Sequence, residues 1–114
     1  EVVATSSTRL YASPKAMQDP AKKQFIEHFS MLVQSVLAAR GRVMVEVNVD
    51  PKSLEGVIKA LPCMREPTVS PLRGDTGYAV KAAVPRDKLP LIIPEIKAAG
   101  GTDVVVTSLA QIIP

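Results

Sequence analysis

Tryptophan is absent from this 114-residue chain, and the other aromatics amount to two Tyr and two Phe. A core built from such a sequence has to be aliphatic. A single cysteine, Cys63, excludes an internal disulfide framework and suggests a reducing, cytoplasmic setting. A single histidine, His28, leaves a His-based metal cluster or a Ser-His-Asp triad with too few parts. No apolar run approaches the ~20 residues of a membrane span, so no membrane partner is expected. A charged-then-apolar leader, a Walker-type glycine loop and a dinucleotide fingerprint are also missing. The net charge of +3 is mild and its bases are scattered. A nucleic-acid surface would show a basic stripe with stacking aromatics, so no nucleic acid is expected either. The first residue is Glu1 rather than Met, and Glu1-Val2-Val3 reads as mid-protein sequence. The chain is therefore expected to be an excerpt or a processed product.

What is present is enough for one domain, since 46% of the residues are hydrophobic. Residues 2–12 are rich in β-branched side chains and predict one broken or two short strands, followed by a Ser13-Pro14 turn. Asp19 before Pro20 is an N-cap with proline at the first helical position. Phe25, Phe29, Leu32 and Val36, flanked by Ile26, Val33 and Leu37, then predict a long amphipathic helix that ends at Gly41. Val43, Val45, Val47 and Val49 alternate with Met44, Glu46 and Asn48, the period of a half-buried strand. Asp50-Pro51 opens a second helix striped by Leu54, Val57, Ile58 and Leu61 and stopped by Pro62. Thr68 to Ser70 and Tyr78 to Val84 predict a hairpin around Arg73-Gly74-Asp75-Thr76-Gly77. Asp87 is expected to cap a third helix with the stripe Leu89, Ile92, Ile93 and Ile96. Pro94 should kink that helix or delay its start. Gly100-Gly101 closes it before a last strand, Val104 to Val106.

From residue 42 to 108 the order is βαββαβ, which predicts an α+β, ferredoxin-like sandwich with both helices on one sheet face. Residues 19–41 would then form a connecting helix outside that core, residues 1–18 an arm, and residues 42–114 the domain proper. The arm is expected to pair with itself or a neighbouring subunit, because an unpaired strand is a template. The open sheet face, with Met44, Glu46, Asn48, Ala79, Lys81 and Ala83, suits assembly or a ligand better than bulk water.

Catalytic readings fail on these residues. His28 reads as a solvated helix residue and Cys63 as a small residue in the turn after Pro62. An acylphosphatase-like reaction needs an arginine in a phosphate-cradling loop, and Val49-Asp50-Pro51 supplies none.

Three stretches resemble the C-terminal regulatory domain of long-form ATP phosphoribosyltransferases. Val36-Leu37-Ala38-Ala39-Arg40 is similar to the end of the family's connecting helix. Leu61-Pro62-Cys63-Met64-Arg65-Glu66-Pro67-Thr68-Val69-Ser70-Pro71-Leu72 resembles its LPG-x-x-SPT-x-SPL segment, with Cys63 and Glu66 departing from the usual Gly and Ser. Ala79 to Pro85, Ile96-Lys97-Ala98-Ala99-Gly100 and Val104 to Val106 resemble its third strand, helix end and last strand. Residues 1–12 resemble the strand that closes the catalytic domain.

The resemblance implies an ACT/PII-like regulatory and oligomerisation domain that senses L-histidine, the product of the pathway whose first step the family catalyses. It implies a homo-oligomer, hexameric in the full-length family, and partnership with a catalytic domain. That domain would carry the magnesium; this chain is expected to hold no cofactor or metal and to be inactive alone. Position by position, the implied histidine ligands are Asn48, Met64, Thr68, Ala83 and Asp103, at an interface between copies. Asn48 stands where some members hold the ligand's amino group with an acid, and Asp103, starting the last strand, is the residue that could replace that charge. The alternatives are a purely structural oligomerisation module and a stand-alone ferredoxin-like sensor.

Overall fold

The computed structural model describes residues 2–114. Two capped helices come first. Ser13 Oγ accepts the Ala16 N–H at 3.1 Å, and Pro14 begins α1 (Pro14–Gln18). Ser13-Pro14, expected as a turn, is thus a helix start. Asp19 Oδ1 repeats the device, accepting from the N–H of Ala21 at 3.0 Å and of Lys22 at 3.4 Å at the head of α2 (Pro20–Arg40). Proline is at home in both places, because a first-turn N–H has no intrahelical acceptor to lose.

The strand expectation for residues 2–12 is corrected. These residues take no strand and are exposed. β-branched residues suit a pleated surface, but a ladder needs a partner, and the four-stranded sheet of this chain does not include them. Glu1, the first residue of the expected arm, lies outside the described residues.

The sheet follows from the valine alternation. β1 (Arg42–Val49) buries Val43, Val45, Val47 and Val49 and turns Met44, Glu46 and Asn48 the other way. A 3₁₀ turn at Pro51–Ser53 leads into α3 (Leu54–Lys59), then β2 (Thr68–Pro71) and β3 (Tyr78–Pro85) pair as the expected hairpin. After α4 (Leu89–Ala98) comes β4 (Thr102–Ser108). The strand order is β2-β3-β1-β4, and every pairing is antiparallel. This is the ferredoxin-like α+β arrangement. Val57 and Leu61, from α3 and the turn after it, and Ile92 and Ile96 of α4 complete a single cluster with the valines of β1 and with Val80, Ala82 and Val84.

Two local expectations change. Asp87 does not cap α4: the chain leaves β3 through a 3₁₀ turn at Arg86–Lys88, so the cap position falls on Lys88 and no side chain bonds there. Pro94 stays inside α4 on its exposed side, where water can satisfy the carbonyl one turn back. The end of α4 is as the glycine pair suggested. Gly101 N–H bonds Ile96 C=O at 2.9 Å and Gly100 N–H bonds Lys97 C=O at 3.2 Å, with Gly100 at φ 103°. That is a Schellman closure, which requires the left-handed residue that glycine supplies.

The radius of gyration is 19.6 Å, whereas a compact domain of this length would have about 13 Å. Part of the difference is α2, which stands away from the sheet with only Ser35 and Ala39 buried. Phe25, Phe29, Leu32, Val36 and Leu37 remain exposed, and the two Phe rings stack with centroids 6.4 Å apart. An apolar helix face of that width is a surface built to be covered. No helix among the described residues is long and apolar enough to cross a membrane.

Candidate functional site

The sheet face opposite α3 and α4 carries the site. Antiparallel register sets Met44 beside Ala83, and Lys81 beside Thr68 on one flank and Glu46 on the other. Alternation then places Met44, Thr68, Lys81 and Ala83 on the open face, because Val43, Val45, Val80 and Ala82 are committed to the core. Two further walls rise from irregular chain. The loop between α3 and β2 brings Cys63, Met64, Arg65 and Glu66, while Ile112, Ile113 and Pro114 come from the segment after β4. Together they enclose a groove of about 340 Å³. That is the lower end of the ~300–1,000 Å³ typical of small-molecule sites.

The groove has a clear chemistry. Met44, Met64 and Ala83 offer an apolar surface, Arg65 and Lys81 two cations, Glu66 one anion, and Thr68 a hydroxyl. Both charge signs around an apolar floor suit a small zwitterion with an apolar or aromatic side chain. Among the described residues, no group of three or more His, Cys, Asp and Glu side chains is placed to hold a metal ion.

Three of the five residues singled out from sequence, Met64, Thr68 and Ala83, line this groove. The other two do not. Asn48 and Asp103 meet at the far end of β1, where Asn48 Nδ2 donates to Asp103 Oδ2 at 3.3 Å. Thr102 Oγ1 donates to the Asn48 carbonyl at 3.3 Å in the same corner. The Met44–Ala83 pair and the Asn48–Ala79 pair are four residues apart along β1, or about 13 Å at strand rise. Asp103 reaches Asn48 because β4 bulges there: the register shifts between Glu46 and Asn48, and Asp103 takes φ 51°. Aspartate is one of the few non-glycine residues that tolerate this conformation. Its carboxylate thus supplies a negative charge beside an amide that has none.

Arg65, Glu66, Lys81 and the 112–114 wall were not among the ligand residues expected from sequence. Arg65 and Glu66 lay within the Leu61 to Leu72 segment, and Lys81 was the one charged residue on β3, so those signals existed. Nothing periodic marks Ile112, Ile113 or Pro114. His28 is exposed on α2, away from both groups.

A family model described as "HisG, C-terminal domain" matches residues 39–111. The chain is also similar to curated proteins named ATP phosphoribosyltransferase. That of Pelotomaculum thermopropionicum is 33% identical over 116 residues, covering 99% of this chain and 40% of the relative. That of Nitratidesulfovibrio vulgaris is 36% identical over 97% of this chain and 38% of the relative. That of Natronomonas pharaonis is 37% identical over 98% of this chain and 38% of the relative. The chain therefore spans about 40% of the length of the relatives it matches.

Proposed function

Given that the chain belongs to the HisG C-terminal domain family, we propose that it is the histidine-sensing regulatory and assembly domain of an ATP phosphoribosyltransferase. On this reading it works in the cytoplasm, in the first step of histidine biosynthesis, beside a catalytic domain whose reaction it does not itself perform. The observation that carries the reading is the groove, whose opposite charges and apolar floor complement free histidine. Arg65 and Lys81 attract the carboxylate and Glu66 the ammonium. Thr68 offers a hydrogen bond, and the methionines provide a wall for the imidazole.

The two separated groups add to it. The Met44–Ala83 end of the groove lies about 13 Å along β1 from Asn48, farther than one free amino acid spans, so a ligand seated at that end meets the Asn48–Asp103 corner only of a neighbouring copy, as an oligomer such as a hexamer would arrange. Regulation follows from differential binding: histidine favours the arrangement in which both groups meet, and its preference for that state limits the coupling.

The test is calorimetry on the assembled protein. Thr68→Val keeps the shape and removes the hydroxyl, so histidine affinity should fall about tenfold, the loss expected for a hydrogen bond to a charged group. His28→Ala should leave affinity unchanged, and Cys63→Ala should change it less than Thr68→Val. A purely structural assembly module is the second reading, favoured by the uncovered apolar face of α2. An oligomer that gives no heat at millimolar histidine would select it.

A further inference from the structure

Ser35 is the buried polar side chain among the described residues, with 3% of its surface exposed, and it lies in the C-terminal half of α2, where only Ala39 is buried besides it. A buried hydroxyl must be satisfied, and this one is satisfied twice. Its Oγ donates to Leu32 C=O at 2.6 Å and accepts from Gln111 Nε2 at 3.1 Å. The Ser35 carbonyl also accepts the Ile112 N–H at 3.0 Å. The segment that pins itself to α2 at residues 111 and 112 is the one that forms a groove wall with residues 112–114. Ile112 does both.

We propose that residues 109–114 are a strap that closes the groove and transmits its state to α2. The segment has no helix or strand, so no ladder resists its detachment, and opening needs little free energy. α2 is held at two points. One is firm: Arg86 N–H bonds Gly41 C=O at 2.9 Å and Arg86 Nε bonds Arg40 C=O at 3.1 Å, tying the helix end to the β3–α4 junction. The other is the Ser35 clasp, five residues up the helix. Releasing the clasp leaves α2 attached only near Gly41, free to pivot with its apolar face. A molecule seated in the groove touches Ile112 and Ile113 and so strengthens or breaks the clasp. That the molecule is histidine rests on the reading above; the strap itself does not.

Cys63 is the only cysteine of the chain and lines the groove, so its reaction with a disulfide reagent reports opening. In the whole chain without ligand, Gln111→Ala and Ser35→Ala should each speed that reaction about two- to tenfold, the factor for one lost hydrogen bond. Amide exchange across residues 32–39 should rise in parallel, while exchange in β1 and β3 stays unchanged. Gln111 is exposed, so its replacement leaves the core intact. Unaltered Cys63 rates, or a rise shared by β1 and β3, would overturn the strap. With millimolar histidine added, the wild-type chain should show a slower Cys63 and a changed exchange in α2. Gln111→Ala should keep the first response and lose the second. If histidine slows Cys63 but leaves wild-type α2 unaffected, transmission fails while the histidine reading stands. If histidine does not slow Cys63 in the wild type, the histidine reading fails, and the ligand-free rates decide the strap on their own.

Discussion

Ile96→Ala is expected to destabilise the chain by about 2–5 kcal/mol, the cost of deleting a large aliphatic side chain from a site that relaxes only partly. Ile96 has no exposed surface, and it sits where α4 meets β1: its Cγ2 and that of Val47 occupy the space that a Cβ on Gly101 would need. For a domain of this size the melting temperature should drop by roughly 4–8 °C per kcal/mol. Leu91→Ala, on the same helix but 71% exposed, should stay within about 0.5 kcal/mol. Denaturant midpoints of the two variants check this, and equal midpoints would mean that α4 faces the sheet differently.

Gly77→Ala should follow closely in size, at about 1–3 kcal/mol or more. A Cβ at Gly77 would run into the Val49 carbonyl oxygen and come within 3.3 Å of the Val49 carbonyl carbon. Backbone cannot swing aside as a side chain does. Relief would have to open the end of the β1–β3 ladder, where Val49 faces Tyr78. Gly41→Ala should do the reverse. Gly41 has φ −84°, and the nearest atom to a new Cβ is the Ala38 carbonyl oxygen at 3.7 Å. Alanine fits there and restricts only the unfolded chain, so a gain of about 0.4–1 kcal/mol is expected. Thermal or denaturant unfolding of this glycine pair reads out the two opposite signs.

The valines at 43, 45, 47 and 49 were legible because strand alternation is a local signal, and each of them is buried. The caps at Asp19 and the Gly100-Gly101 closure were legible for the same reason, since a few adjacent residues decide them. Asp87 misled because the turn type out of β3 depends on where Leu89 must enter the core, which adjacent residues do not encode. Residues 2–12 carry strand-forming side chains, yet pairing is a property of two segments, and the four-stranded sheet does not take these residues in. The site shows the same limit more sharply. Met64, Thr68 and Ala83 come from a loop and two strands, and only the register of β3 against β1 and β2 places them together. That register also sets Asn48 four residues, about 13 Å, from the Met44–Ala83 pair along β1. The wall at 112–114 has no periodicity to read, because an irregular segment held by one serine leaves no pattern in the sequence.

The central claim is that histidine is held by the open-face groove and by the Asn48–Asp103 corner at once. An amide-resolved NMR titration of the assembled protein with histidine tests it most directly. Saturable shifts are expected at Met64, Thr68 and Ala83 and, with the same midpoint, at Asn48 and Asp103. Shifts at neither group, or shifts confined to α2 around His28, would contradict it.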